Sequence, residues 1–325
     1  MDSLELERLD TNYVRPYSEW WQFAFINSFS NTNMNIRSYS PMYGIEGNIN
    51  ADTKLKLSVY ASFRGWGVTY AHDVDYHDVN LMFSYYGDIL GGEFLMNRSN
   101  SLHGPLNIYN WLENEDYSYS LMNTTLDVKS RDLSYFNILS DFYVVLNYKR
   151  FSFPAALGFS RMQRRSAGSV ILGGSYIFSG TKVKSRDLQN FWGGQSHFSI
   201  KEAALGAGYA YNFSYRIFEN HSLLFHFSLL PMFTVWNHYS DRAREQNALV
   251  NPELVRYNET NWIWDDVEND AVQMVLLFRN GMNYNYKNVF LGVNTVFAAQ
   301  TLSKGDDLDY DVDLWIVRAF AGVRF

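Results

Sequence analysis

Apolar and polar residues alternate along most of this chain with a period of two. A strand reads this way when its faces meet different surroundings, because successive side chains point to opposite sides. In Lys54–Phe63, residues Leu55, Leu57, Val59, Ala61 and Phe63 share one face, and Lys54, Lys56, Ser58, Tyr60 and Ser62 the other. The final run, Tyr310 to Phe325, ends with Val317, Ala319, Ala321, Val323 and Phe325 on one face and Arg318 and Arg324 opposite. The other runs are Trp20 to Phe29, Asn35 to Asn50, Val79 to Tyr86, Leu90 to Asn97, Leu133 to Tyr148, Gly168 to Ser179, Ser196 to Tyr215, Leu223 to Tyr239, Ala271 to Tyr286 and Val289 to Thr301. The pattern therefore predicts about 12 strands.

Connection lengths sort these strands into a barrel. Outer-membrane barrels alternate short periplasmic turns with long outer loops. Ala51–Thr53, Gly87–Ile89, Arg216–Asn220 and Lys287–Asn288 fit the short side. Arg64–Tyr76, Arg98–Asp132, Gly180–Gln195, Ser240–Asp270 and Leu302–Asp309 fit the long side. Ser30–Asn33 is short for its side, and Lys149–Ala167 is long for its own. A further strand within the latter would reverse every later alternation. The segment 151–165 therefore reads as a non-spanning insert. Ser152 is placed to cap a helix from Phe153-Pro154, with Ala155-Ala156-Leu157 and Ser160 to Arg165 continuing it. The insert would sit at the short-turn mouth or fold into the lumen.

Composition supports the barrel. Aromatics make up 18% of the 325 residues, which suits strands and the interfacial girdles of a lipid-facing wall. No stretch is long and apolar enough for a spanning helix. Mean hydropathy of −0.26 does not exclude a membrane, because only alternate strand residues touch lipid. Without Cys, disulfides and thiolate chemistry are excluded, and no cofactor is implied. A net charge of −7 argues against nucleic acid as a partner. Met1, Asp2 and Ser3 do not begin a signal peptide, so a bacterial outer-membrane location implies a form whose leader has been removed. The expected organisation is a periplasmic lead-in over residues 1–19 and an outer-membrane β-barrel over 20–325.

Several motifs resemble one family. Asp10-Thr11-Asn12-Tyr13-Val14 resembles its opening motif, and Phe142 through Ala156 its central turn. Gln163-Arg164-Arg165-Ser166-Ala167-Gly168-Ser169 resembles its basic signature, and Tyr209-Ala210-Tyr211-Asn212-Phe213 the strand that follows. The family is a Bacteroidota barrel group catalogued as domain of unknown function 4421. The similarity runs from about Asp10 to Phe325. It implies an outer-membrane barrel with no established activity, so no catalytic residues carry over. It also makes the insert, with Arg161, Gln163, Arg164, Arg165 and Ser166, the favoured functional element.

Inward faces hold Glu46, Lys56, Arg64, Glu93, Asp141, Arg279, Arg318 and Arg324. Such charges either pair and brace the wall, or form a constriction selecting anions. His226-Phe227-Ser228 and His197-Phe198-Ser199 show the His-x-Ser spacing of the outer-membrane phospholipase A family. The Asn-Gly that follows the serine in that family is absent, however, and His226 and Ser228 point to the lumen. Asp309, Asp311 and Asp313 alternate at a rim where they could hold a divalent cation. Trp111, Tyr117, Tyr119, Trp262 and Trp264 belong to outer loops that cover the pore or stack on a partner. The leading expectation is a narrow porin-like channel for small polar or anionic solutes; the alternative is a non-transporting scaffold or accessory subunit of an outer-membrane complex, and a lipid hydrolase comes third, behind a non-enzymatic barrel. The implied partners are outer-membrane lipid, the barrel assembly machinery and an envelope protein.

Overall fold

The computed structural model describes residues 9–39, 43–51, 54–73, 78–113, 119–191, 195–218, 221–244, 254–262, 273–304 and 308–325. In chain order the elements are β1 (Val14–Pro16), β2 (Trp21–Tyr39), β3 (Tyr43–Ala51), β4 (Lys54–Phe63), β5 (Trp66–His72), β6 (Val79–Tyr86), β7 (Leu90–Ser99), β8 (Leu102–Glu113) and β9 (Tyr119–Val128). They continue with β10 (Leu133–Val145), α1 (Phe153–Ala156), β11 (Arg161–Gln163), β12 (Ala167–Val183), α2 (Arg186–Phe191) and β13 (Gln195–Phe218). The last are β14 (His221–Arg244), β15 (Leu254–Trp262), β16 (Met274–Tyr286), β17 (Val289–Lys304) and β18 (Leu308–Arg324).

Twelve antiparallel strands close a ring in the order β2, β4, β5, β6, β7, β10, β12, β13, β14, β16, β17, β18. The closing pair, β18 with β2, runs from Leu308↔Ser38 to Arg324↔Gln22. Phe325 and Trp21 then exchange backbone hydrogen bonds at 3.0 Å. Closure leaves the ring without a free edge, which is the condition for strands to cross hydrocarbon. The outward face is apolar: Phe25 is 79% exposed, Leu57 65% and Trp66 65%. In water that surface would be costly at about 25 cal/mol per Å²; lipid removes the cost. The protein is thus a transmembrane β-barrel. Both ends of the ring lie at the short-turn end, which in such barrels faces the periplasm.

Two expectations about the early strands are corrected, and the corrections cancel in the strand count. Ser30–Asn33 is not a loop, because β2 continues through it while pairing with β18. Its outward residues become polar at Asn31, Asn33 and Asn35 because the strand has risen past the lipid. Asn35 to Asn50 is consequently not a spanning strand; it comprises the top of β2 and β3, which pair as a hairpin. The short-side turn expected at Ala51–Thr53 lies, apart from Ala51, outside the described residues; β3 before it and β4 after it descend in succession along the same strand, β2. The missed strand is β5. Its inward residues, Gly67, Thr69 and Ala71, are small and blur the alternation. Arg64 and Gly65, both at positive φ (50° and 88°), make the two-residue turn before it.

Above the membrane the wall continues. β3 pairs with β8 and β8 with β9, over the short β5–β6 hairpin. Asp78 is buried there, accepting the Asn100 amide at 2.7 Å and the Ser99 hydroxyl at 3.1 Å. Met34, Ile45, Leu106, Tyr135, Leu188 and Ile200 belong to one buried apolar cluster at this end.

Candidate functional site

The insert 151–165 enters the lumen at the short-turn end. Ser152 caps α1 as expected, its hydroxyl accepting the Ala155 amide at 3.2 Å, and Pro154 occupies the first turn, where its missing N–H costs nothing. All four residues of α1 are buried. Phe151 and Phe153 meet edge-to-face at 5.1 Å, and Phe153 packs on Tyr143 at 4.3 Å. The helix does not continue to Arg165, as the sequence suggested. Instead Phe159 turns at φ 53°, and Arg161–Gln163 becomes β11, paired with β1 of the lead-in. The polar backbone of β11 finds its partners in that strand, which sequence spacing could not reveal.

Gln163 ties these segments together. Its amide nitrogen donates to the carbonyls of Arg150 at 2.7 Å and Arg165 at 2.8 Å, and its oxygen accepts from the Ser152 amide and Asn212 Nδ2, each at 3.1 Å. Asn212 also donates to the Ser152 carbonyl at 2.8 Å. With its nitrogen so engaged, Asn212 Oδ1 faces His226 Nδ1 at 2.8 Å, which must therefore carry the proton. His226 Nε2 is then the acceptor for the Ser228 hydroxyl at 3.2 Å. An Asn–His–Ser chain results; Asn212 enters the sequence reading only within a family motif, and its place beside His226 was not expected because it lies on the neighbouring strand. Both His226 and Ser228 face the lumen, as expected, but Phe151 and Phe153 pack over the imidazole at ring distances of 6.3 and 5.3 Å. The chain has the order of a base-activated nucleophile, but His226 and Ser228 are both buried beneath the aromatic insert.

Farther in, three of the expected inward charges come together. Arg279 on β16 reaches Asp141 on β10 at 2.6 Å and Glu93 on β7 at 3.6 Å. Three strands separate β16 from β10 in the ring, so the ion pair spans the lumen. Tyr86 donates its hydroxyl to Glu93 at 2.5 Å. A buried cation with two carboxylates is the bracing arrangement, because each charge lost from water needs a partner. Around it one apolar cluster joins Leu95 and Leu139 on one wall to Leu230, Leu277 and Leu314 on the other.

The remaining expected residues scatter. Lys56 is buried and donates to Asn80 at 3.1 Å. Arg318 lines a small lumen cavity of about 20 Å³ together with Ser28, Ser58, Thr69 and Asn80. Arg324 belongs to the plug: Nε donates to the Phe159 carbonyl at 2.7 Å and its guanidinium lies 3.9 Å from the Tyr17 ring. Burial raises the Tyr17 phenol above its ordinary value, with Arg324 partly offsetting it. Glu46 is not in the lumen, because β3 lies above the membrane; it pairs with Arg37 at 3.2 Å. Arg64 is likewise outside, on the short turn, stacked 3.5 Å from Trp20. Arg161 holds Asp88 with two contacts of 3.2 Å, Arg164 donates to the Thr11 carbonyl at 3.1 Å, and Arg165 lies 5.8 Å from the Tyr13 ring. The Ser166 hydroxyl accepts the Ser214 amide at 3.0 Å.

Glu202, buried on β13, was missed; its carboxylate accepts from Thr234 and Gln300. No set of three His, Asp or Glu side chains converges on a metal site among the described residues. The side chains of Asp309, Trp111, Tyr117, Tyr119, Trp262 and Trp264 lie outside the described residues.

This arrangement defines a plugged transmembrane barrel. The chain belongs to the family described as Domain of unknown function (DUF4421), which it matches over residues 8–325. No curated protein matches it. Among solved structures it is similar to the outer membrane protease OmpT from Escherichia coli, with 10% identity and a TM-score of 0.45 over 96% of this chain and 99% of that one. It is also similar to the beta domain of the Bordetella autotransporter BrkA (9% identity, TM-score 0.34, 95% and 100% covered) and the P. putida toluene transporter TodX (8%, 0.26, 95% and 91%).

Proposed function

We propose that the protein is a closed barrel of the bacterial outer membrane that serves as a scaffold or accessory subunit for an envelope protein, not as a standing channel. The observation that carries this is the Arg279–Asp141 pair across the lumen, with apolar packing around it and the insert below. A solute path along the axis would have to break a buried ion pair and displace Phe151 and Phe153. The same packing disfavours lipid hydrolysis at Ser228, which would need an acyl chain inside the plugged lumen. Lipid supplies the barrel's solvent, and insertion would require the barrel assembly machinery.

Planar-bilayer recording tests this, with insertion verified by protection from protease. The full-length protein is expected to remain electrically silent and to cross-link to a protein partner in envelopes. Stepwise conductance by the unmodified chain would overturn the scaffold in favour of the narrow channel.

A further inference from the structure

The short-turn mouth holds a cavity of about 670 Å³. That volume suits a small ligand, since such sites run roughly 300–1,000 Å³. Its charge is one-sided: Arg15, Arg164, Arg165, Arg216 and Lys287 line it, and Glu19 is the one carboxylate among the described lining. These cations arrive from separate parts of the chain. Arg15 comes from β1, Arg164 and Arg165 from the insert, Arg216 from the end of β13, and Lys287 from the turn before β17. Arg15, Arg164, Arg165 and Lys287 have no carboxylate within salt-bridge distance among the described residues.

Like charges gathered round a concavity repel one another, and the chain as a whole is acidic at −7. Here no carboxylate among the described residues pairs with Arg15, Arg164, Arg165 or Lys287. Elsewhere at the same mouth carboxylates do pair, since Arg161 is held by Asp88 and Arg150 lies 3.6 Å from Asp10. The pairing β1–β11 is what brings Arg15 into the same cavity as Arg164 and Arg165. Guanidinium forks present paired donors that match the oxygens of phosphate, and several together suit a group with more than one negative charge. Ser214, Ser222 and Asn285 add neutral hydrogen-bonding groups to the lining.

We infer that this mouth cavity is a binding site for a multiply charged phosphate group, presented from the periplasmic side. Two sources share that chemistry: the headgroup of a phospholipid in the adjoining leaflet, and a soluble phosphate ester. Binding at the mouth does not depend on whether the lumen conducts, so its failure would leave the scaffold proposal intact, and the reverse also holds.

Isothermal titration of the full-length protein in uncharged detergent, at about 0.15 M salt, tests the site with two probes. One is inorganic pyrophosphate; the other is dihexanoyl phosphatidic acid. Saturable binding of either is expected, weakened at least tenfold by combining Arg15→Gln, Arg164→Gln and Arg165→Gln. A control removing three exposed cations at the opposite end (Lys129→Gln, Lys182→Gln and Arg186→Gln) should bind as the parent does. Should the triple variant lose its heat-modifiable migration, Arg216→Gln with Lys287→Gln takes its place. Binding of pyrophosphate, with or without the lipid probe, assigns a soluble ester, and binding of the lipid probe alone assigns the headgroup. Absence of saturable binding to both, or equal weakening in the control, would overturn the site.

Discussion

Arg279 and Asp141 stand on strands separated by three others in the ring, yet their side chains meet at 2.6 Å inside the barrel. The contact reaches across the lumen at that level and ties two walls together. Removing the cation strands two buried carboxylates, Asp141 and Glu93. Arg279→Met should therefore cost about 3–5 kcal/mol, read as a lower urea midpoint for unfolding in lipid. Arg279→Met combined with Asp141→Leu should recover part of the loss, whereas a sum of the two single losses would show that the residues are not coupled.

The insert contributes packing as well as polar contacts. Phe153 lies against Tyr143, Phe151 and His226 and is 1% exposed. Phe153→Ala should lower stability by about 3–5 kcal/mol and speed proteolysis after Arg161, Arg164 or Arg165. An unchanged cleavage rate would mean that the insert is held some other way.

Ser228 offers a chemical check on the seal. Its hydroxyl donates to His226, but the aromatic plug covers the imidazole. A fluorophosphonate probe should leave Ser228 unlabelled in the folded protein. Labelling that vanishes in His226→Ala would establish an accessible nucleophile and revive hydrolysis.

The turn at Gly65 has little tolerance. At φ 88° a side chain is strained, and an added Cβ would lie 2.7 Å from the Tyr86 carbonyl oxygen. Gly65→Ala should destabilise the barrel by more than the ~1 kcal/mol of an ordinary positive-φ replacement, as measured by thermal loss of heat-modifiable migration. A neutral result would contradict the turn geometry.

Placement in lipid is testable on the outer wall. Leu57 faces outward and is 65% exposed. Leu57→Arg should cost about 2–4 kcal/mol if it lies near the bilayer centre, read from folding equilibria into lipid vesicles. Leu57→Phe should be close to neutral. Equal tolerance of both would place that face against water.

Much of this was written in the residue pattern. Alternation in β4, β6, β7, β16, β17 and β18 revealed the strands and told lipid face from lumen face, so Glu93, Asp141, Arg279, Arg318 and Arg324 were expected inside and lie there. That inference works because hydrocarbon is an extended, uniform solvent: every outward residue within it answers to the same demand, whatever its neighbours are. Where the strand rises past the bilayer, as at Asn31 to Asn35, the demand lapses and the pattern misled.

Partnership across the barrel was beyond such a pattern. Nothing in the spacing of Arg279 and Asp141, 138 positions apart, pairs them, nor does it bring Asn212 beside His226 or Arg15 beside Arg164. Those meetings follow from ring closure and from how the insert folds back onto the lead-in. They depend on distances through space between residues whose local sequences carry no trace of one another.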